Sequence, residues 1–296
     1  MRKKTLLVFL SLMIMIGLTG CGKDKQENYS NNKSSVSDEI VIDLSTQFIG
    51  NDGLKEKVES GEIPANVTKL DLSMNNLSNL TPLRSLIKLK ELNLGNNQIT
   101  DLRSVGQLTS LEKLSLLRNQ ISDISPLANL TNLKELTIHT NKISDISALG
   151  SLTNLEKLDL TSNSVNNISS LSTLSNLKIL TISENQVGDL SSLSNSYYLT
   201  KLELRNNQVK DVSPLRNLSN LEDLNLNFNQ ISDISPLANL TKLKQLGLNS
   251  NKITNIDSLV NLTNLEWIIL NNNPISQEEV NELQRKLPEG VKIDFN

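Results

Sequence analysis

From Val67 onward, Leu, Ile or Val recurs at positions 1, 4, 6, 11, 14, 17 and 20 of a 22-residue block, with few exceptions, and polar residues fill most of the positions between. Nine full blocks run to Asn264 and a tenth opens at Leu265. Within each block the stretch around positions 4 to 6 alternates apolar with polar, the period of a strand with one face buried. In the third block, Leu114 and Leu116 therefore point inward and Ser115 outward. One short strand per block, stacked in register, predicts a parallel sheet. Position 9 is Asn in all ten blocks: Asn75, Asn97, Asn119, Asn141, Asn163, Asn185, Asn207, Asn229, Asn251 and Asn273. An amide both donates and accepts, so these residues are expected to end the strand and form a ladder along the stack. The second half of the block is too short for a long helix with its loops. It carries Pro82, Pro126, Pro214 and Pro236 at position 16, which predicts 3₁₀ turns or extended chain.

No block holds itself together. Seven buried apolar side chains contribute about 1.5 to 3 kcal/mol each, while ordering 22 residues costs roughly 1.5 kcal/mol apiece. Stacking must supply the difference, and both ends of the stack need covers. "EIVIDL" and "GLKEKVESGEIP" break the period before Val67 and predict a short strand and helix. After the tenth block, "SQEEVNELQRKL" opens with a capping-box pair, Ser276 and Glu279, and puts Val280, Leu283 and Leu287 on one helical face. The fold expected is an α/β solenoid with a parallel sheet on one side and 3₁₀ or extended chain on the other.

The first residues, "MRKKTLLVFLSLMIMIGLTGC", have a basic start and an apolar run, as in a signal peptide. "LTGC" at residues 18–21 resembles the lipobox of bacterial lipoproteins. That resemblance implies that Cys21 is diacylated and becomes the new N-terminus, and two acyl chains anchor stably where one does not. Cys21 is the only cysteine, so the chain has no internal disulfide and no cysteine metal cluster. The expected organisation is a leader at 1–20, a polar tether at 21–37, an N-terminal cap at 38–66, nine repeats at 67–264, and a partial tenth repeat with a helical cap at 265–296. Loss of the leader removes Arg2, Lys3 and Lys4 and makes the net charge of −3 more negative. An acidic chain without a basic stripe argues against a nucleic-acid partner.

Blocks such as "NQISDISPLANLTNLKEL" resemble the leucine-rich repeats of bacterial internalins, over residues 67 to about 275. The resemblance implies a leucine-rich-repeat horseshoe whose sheet lines the concave face and binds another protein. The best-known members carry an immunoglobulin-like domain or a cell-wall sorting signal after the repeats. Here the sequence runs to Asn296 with neither and carries the lipobox-like motif, so a role other than host invasion is expected. The implied location is the extracytoplasmic face of a bacterial membrane, with the bilayer as a second partner through Cys21.

If the repeated letters are framework, selectivity lies in the outward positions 3, 5 and 7 and the flanking 2 and 8. Positions 2 and 3 alternate charge as Lys90-Glu91, Glu112-Lys113, Lys134-Glu135 and Glu156-Lys157, a pattern that sets register and solubility without needing a ligand. Apolar and aromatic residues on this face are less expected. They fall in one group at Leu117, Arg118 and His139, and in another at Phe228, Trp267 and Ile269; Lys201, Glu203 and Arg205 add a charged cluster. Trp267 is read either as an interface anchor or as packing against the C-terminal cap or over Gly247. Ser196 stands where position 20 is otherwise Leu, and Tyr197 or Tyr198 is expected to swing in and fill the gap. His139 is the only histidine, which leaves little for nucleophilic or metal catalysis. Asp101, Asp123, Asp145, Asp189, Asp211 and Asp233 at position 13 read as turn caps rather than a calcium row. No cofactor, small-molecule substrate or enzyme activity is expected. A passive envelope scaffold and a glycan or peptidoglycan binder remain open alternatives to protein binding.

Overall fold

The computed structural model describes residues 39–296 as one compact unit. The expectations for the leader, Cys21 and the tether fall on residues 1–38 and lie outside the described residues. Twelve strands form one parallel sheet in chain order: β1 Val41–Asp43, β2 Lys69–Asp71, β3 Glu91–Asn93, β4 Lys113–Ser115, β5 Glu135–Thr137, β6 Lys157–Asp159, β7 Ile179–Thr181, β8 Lys201–Glu203, β9 Asp223–Asn225, β10 Gln245–Gly247, β11 Trp267–Ile269 and β12 Lys292–Asp294. Register follows the block: Leu114 pairs with Leu92 and Leu136, and Lys113 with Glu91 and Glu135. Between strands, 3₁₀ turns such as Ser125–Asn129 carry the chain along the opposite side. The Leu, Ile and Val of the block form one continuous buried core. The molecule is a leucine-rich-repeat solenoid.

Three residues beyond the end of each repeat strand, at position 8, the backbone turns left-handed in all ten repeats, from φ 51° at Arg118 to φ 59° at Met74. None of these residues is Gly, and Thr140 is β-branched, so the turn is held against a steric cost. The position 9 amide supplies the holding force. Asn119 Nδ2 donates to the carbonyls of Leu116 (3.0 Å) and Leu117 (3.2 Å) in its own turn and of Leu94 (3.0 Å) in the preceding one. The Ile99 N–H donates to Asn119 Oδ1 at 3.0 Å. The same donation to the preceding coil recurs from Asn75 to Asn273. The ladder therefore runs from amide to main chain, not from amide to amide.

A second row of asparagines occupies position 22 on the other edge. Asn132, Asn154, Asn176, Asn220 and Asn264 each donate to the position 21 carbonyl of the coil before, at 2.7 to 3.0 Å. The position 13 Asp residues cap turns: Asp123, for example, accepts the Ser125 N–H at 2.8 Å. At the N-terminal end, β1 and the helix α1, Gly50–Glu59, close the stack with Leu54 buried. At the other end, helix α2, Gln277–Lys286, forms the full capping box between Ser276 and Glu279 and buries Val280 and Leu283. Strand β12 after it extends the sheet by one more coil, an element the period does not predict.

The expected filling of the position 20 gap by a tyrosine does not occur. Ser196 is itself buried at 4% exposure, while Tyr197 and Tyr198 stand 49% and 61% exposed, with the Tyr197 hydroxyl donating to Asn195 Oδ1 at 2.9 Å. Ser196 itself occupies the buried place, and the 3₁₀ turn before it, Ser191–Leu193, is three residues long, as are Val105–Gln107 and Ser213–Leu215 in repeats with an intact position 20 Leu.

Candidate functional site

The outward side chains of the strands form three columns across the sheet. At position 3, lysine Nζ atoms bridge neighbouring carboxylates: Lys69 to Glu91 (3.4 Å), Lys113 to Glu91 (3.8 Å) and Glu135 (3.6 Å), and Lys157 to Glu135 (3.4 Å). Position 2 repeats the arrangement in Lys134–Glu112, Lys178–Glu156 and Lys244–Glu222, at 2.7 to 2.8 Å. The lysine hydrogen bond holds the carboxyls of Glu112, Glu156 and Glu222 below the usual range. These charges satisfy one another, so this part of the face offers little net attraction to a partner.

Two hollows lie on the face. One, of about 460 Å³, sits over β1 to β5 between the paired charges and the small position 5 residues Asp71, Asn93, Ser115 and Thr137. The other, of about 210 Å³, lies over β8 to β11 and brings Lys201 and Glu203 together with Trp267 and Ile269. Lys201 is held between Glu203 (2.8 Å) and Asp223 (2.7 Å).

Trp267 is 36% exposed and engaged by the cap: its Nε1–H donates to Asp294 Oδ2 at 2.9 Å, and Lys292 Nζ lies 5.1 Å from its ring centroid. It does not cover Gly247. A Cβ at Gly247 would stand 2.7 Å from the Asn227 amide and 3.0 Å from that of Asn225, so the glycine makes room for those two side chains. Ile269, beside Gly247 in register, is half-buried.

Along position 7, Leu117 lies over Gly95, whose added Cβ would meet Leu117 Cγ at 2.9 Å. His139 Nδ1 is 3.0 Å from the Thr140 hydroxyl, and Arg118 is exposed at the left-handed turn. Arg205 lies over the ring of Phe228, with Cζ 4.9 Å from the centroid. The sequence lists these two in separate clusters; the stack of repeats makes them one. Among the described residues there is no group of three or more His, Cys, Asp or Glu able to hold a metal ion, and no helix long and apolar enough to cross a membrane.

The Leucine Rich repeats (2 copies) family matches residues 65–106, 109–151 and 199–239. No curated protein is similar enough in sequence to match. Among solved structures, an internalin from Listeria monocytogenes, inlF, is 33% identical over 82% of this chain and 84% of its own, with a TM-score of 0.67. Internalin C2 of the same organism is 34% identical over 73% of this chain and 92% of its own, with a TM-score of 0.63. This chain belongs to the internalin-like leucine-rich-repeat family. The ectodomain of the plant receptor kinase GASSHO1/SCHENGEN3 from Arabidopsis thaliana, solved in complex with Casparian strip integrity factor 2, is 25% identical over 80% of this chain and 33% of that one, with a TM-score of 0.58.

Two features of this internalin-like sheet escape a reading by hydrophobic period. The position 22 asparagines recur when the blocks are set one under another but lie outside the strand. The left-handed position 8 leaves no compositional trace, because Met, Asn, Arg, Thr, Ser, Glu and Phe all occupy it.

Proposed function

We propose that this internalin-like chain is a lipid-anchored, extracytoplasmic protein that binds another protein on its concave sheet face and performs no chemistry of its own. The observation that carries the reading is the division of the face. The charges at positions 2 and 3 are paired off, whereas Leu117, Arg118, His139, Arg205 and Phe228 along positions 7 and 8 stand free of ion pairs among the described residues. A rigid array of this kind lowers the conformational cost of association, and aromatic and Arg residues dominate interface energies. The plant ectodomain, solved with its factor bound, supports a binding role for such repeats. Cys21 in the lipobox-like "LTGC" supports the anchor.

The test compares proteins captured by the full chain with those captured by an Arg205→Ala, Phe228→Ala, Trp267→Ala variant and by a convex-side Asp123→Ala control. Loss of a partner of at least about thirtyfold in affinity in the concave variant alone is expected, as for an interface hot spot. Identical partner sets in all three favour a passive scaffold. Cys21→Ser should release the protein from the membrane fraction.

A further inference from the structure

Resting on the concave-face reading above, we propose that Arg205 is the receptor for a carboxylate of the partner, an Asp or Glu side chain on a protein surface, with Phe228 as the platform that holds it ready. The other outward cations nearby are already engaged: Lys201 by Glu203 and Asp223, Lys178 by Glu156, and Lys244 by Glu222. Arg205 forms no ion pair and no side-chain hydrogen bond among the described residues, and its guanidinium is instead positioned over an aromatic ring that is itself 40% exposed. A guanidinium over a ring keeps its N–H edge free, and that edge matches the two oxygens of a carboxylate. The Asn227 amide is turned the other way, its Oδ1 accepting the Asn249 N–H at 2.7 Å and its Nδ2 lying over Gly247, so it does not compete for the Arg205 guanidinium.

The surrounding charges select the kind of anion. The Glu184 N–H donates to the Arg205 carbonyl and the Glu184 carboxylate is held by the Ser162 hydroxyl at 2.6 Å, while Glu203, two residues before Arg205, and Asp223, on the next strand, are held by Lys201. One guanidinium among three acids tolerates a planar monoanion and repels a phosphate dianion. Arg118 has the same freedom of charge but no ring beneath it.

The experiment follows the Arg Nε–H signals of the ¹⁵N-labelled full chain by NMR, with the Arg205 signal assigned from its loss in Arg205→Lys. The probes are N-acetyl-glutamate methylamide, its uncharged glutamine counterpart, and inorganic phosphate. A saturable shift at Arg205 is expected with the glutamate probe, about tenfold stronger than with the other two, and weakened several-fold in Phe228→Leu. Equal shifts with the glutamine probe, or shifts shared equally with Arg118, would overturn the proposal; tighter binding of phosphate would overturn the choice of carboxylate. Failure here leaves the capture comparison untouched. Loss of no partner in that comparison, with the glutamate shift intact, rejects the concave-face reading and not the carboxylate site.

Discussion

The side-chain amide of Asn119 joins two coils of the solenoid: its Nδ2 donates to the Leu94 carbonyl at 3.0 Å, and its Oδ1 accepts the Ile99 N–H at the same distance. Both partners belong to the preceding repeat. Replacing such an amide leaves buried main-chain groups unsatisfied, at about 1 to 3 kcal/mol each. Asn229→Ala, in the interior of the array, should therefore lower stability by roughly 3 kcal/mol. Asn75 donates to Ser73 in its own turn and to Leu44 in the cap coil, and accepts from Ile49, so its Ala variant should perturb chiefly the N-terminal cap. Urea unfolding with exchange-resolved amides separates the two.

Left-handed backbone at Thr140, φ 57°, places a β-branched residue where Gly or Asn is at ease. Thr140→Gly should raise stability by up to about 1 kcal/mol, because relief of strain outweighs the extra freedom of the unfolded chain. The same change at Asn206 should give nothing. Chemical denaturation of the two variants decides this.

Gly106 faces the neighbouring 3₁₀ turn so closely that an added Cβ would stand 2.4 Å from the Pro126 carbonyl oxygen. Backbone must move to admit it. Gly106→Ala should cost about 1 to 3 kcal/mol, whereas Gly150→Ala, with 3.5 Å of room, should be tolerated.

Acid should loosen the fold through its paired carboxylates. The carboxyls of Glu112, Glu156 and Glu222 lie below their ordinary 4.5, and Arg103 draws Asp101 from 3.8 down to about 2. A depressed folded-state value stabilises above the unfolded value, and that contribution is lost as pH falls through the folded one. The melting temperature should thus hold steady down to about pH 4.5 and decline between there and pH 2. The decline from these exposed pairs should be smaller in concentrated salt.

Between repeats 5 and 6 the edge opposite the sheet lacks its amide clip. Tyr198 replaces the position 22 Asn, so no amide reaches back to Ser175, and the buried oxygen of Ser192 has no hydrogen-bond partner among the described residues. Amides of residues 190–200 should exchange faster than their equivalents one repeat earlier. Tyr198→Asn should slow them and add about 0.5 to 1 kcal/mol.

The fold was legible because one period governs both burial and pairing. Leu114 and Leu116 announce the strand, Asn119 its end, and Ser276 with Glu279 the closing helix. The binding face was only partly so. Its columns follow from counting, but the contact between Arg205 and Phe228 crosses from position 7 of one repeat to position 8 of the next, and nothing in the linear spacing pairs them. Trp267 shows the opposite limit: its exposure was foreseeable, while its tie to Asp294 depends on β12, a strand the repeat pattern does not contain. Tyr197 and Tyr198 were misread because a vacancy in the template suggested a filler, whereas Ser196 itself is buried there and both rings stay exposed.

The alternating charges of position 3 also bear on how this array can change length. Lys69, Glu91, Lys113, Glu135 and Lys157 occupy successive coils, so Glu91, Lys113 and Glu135 each have opposite charges on both sides. Removing any one internal coil from this half would set like charges against each other at neighbouring-strand distance, while removing two adjacent coils would restore the alternation. Descendants of this gene segment should therefore gain and lose repeats here in even numbers, even though the core would accept odd ones.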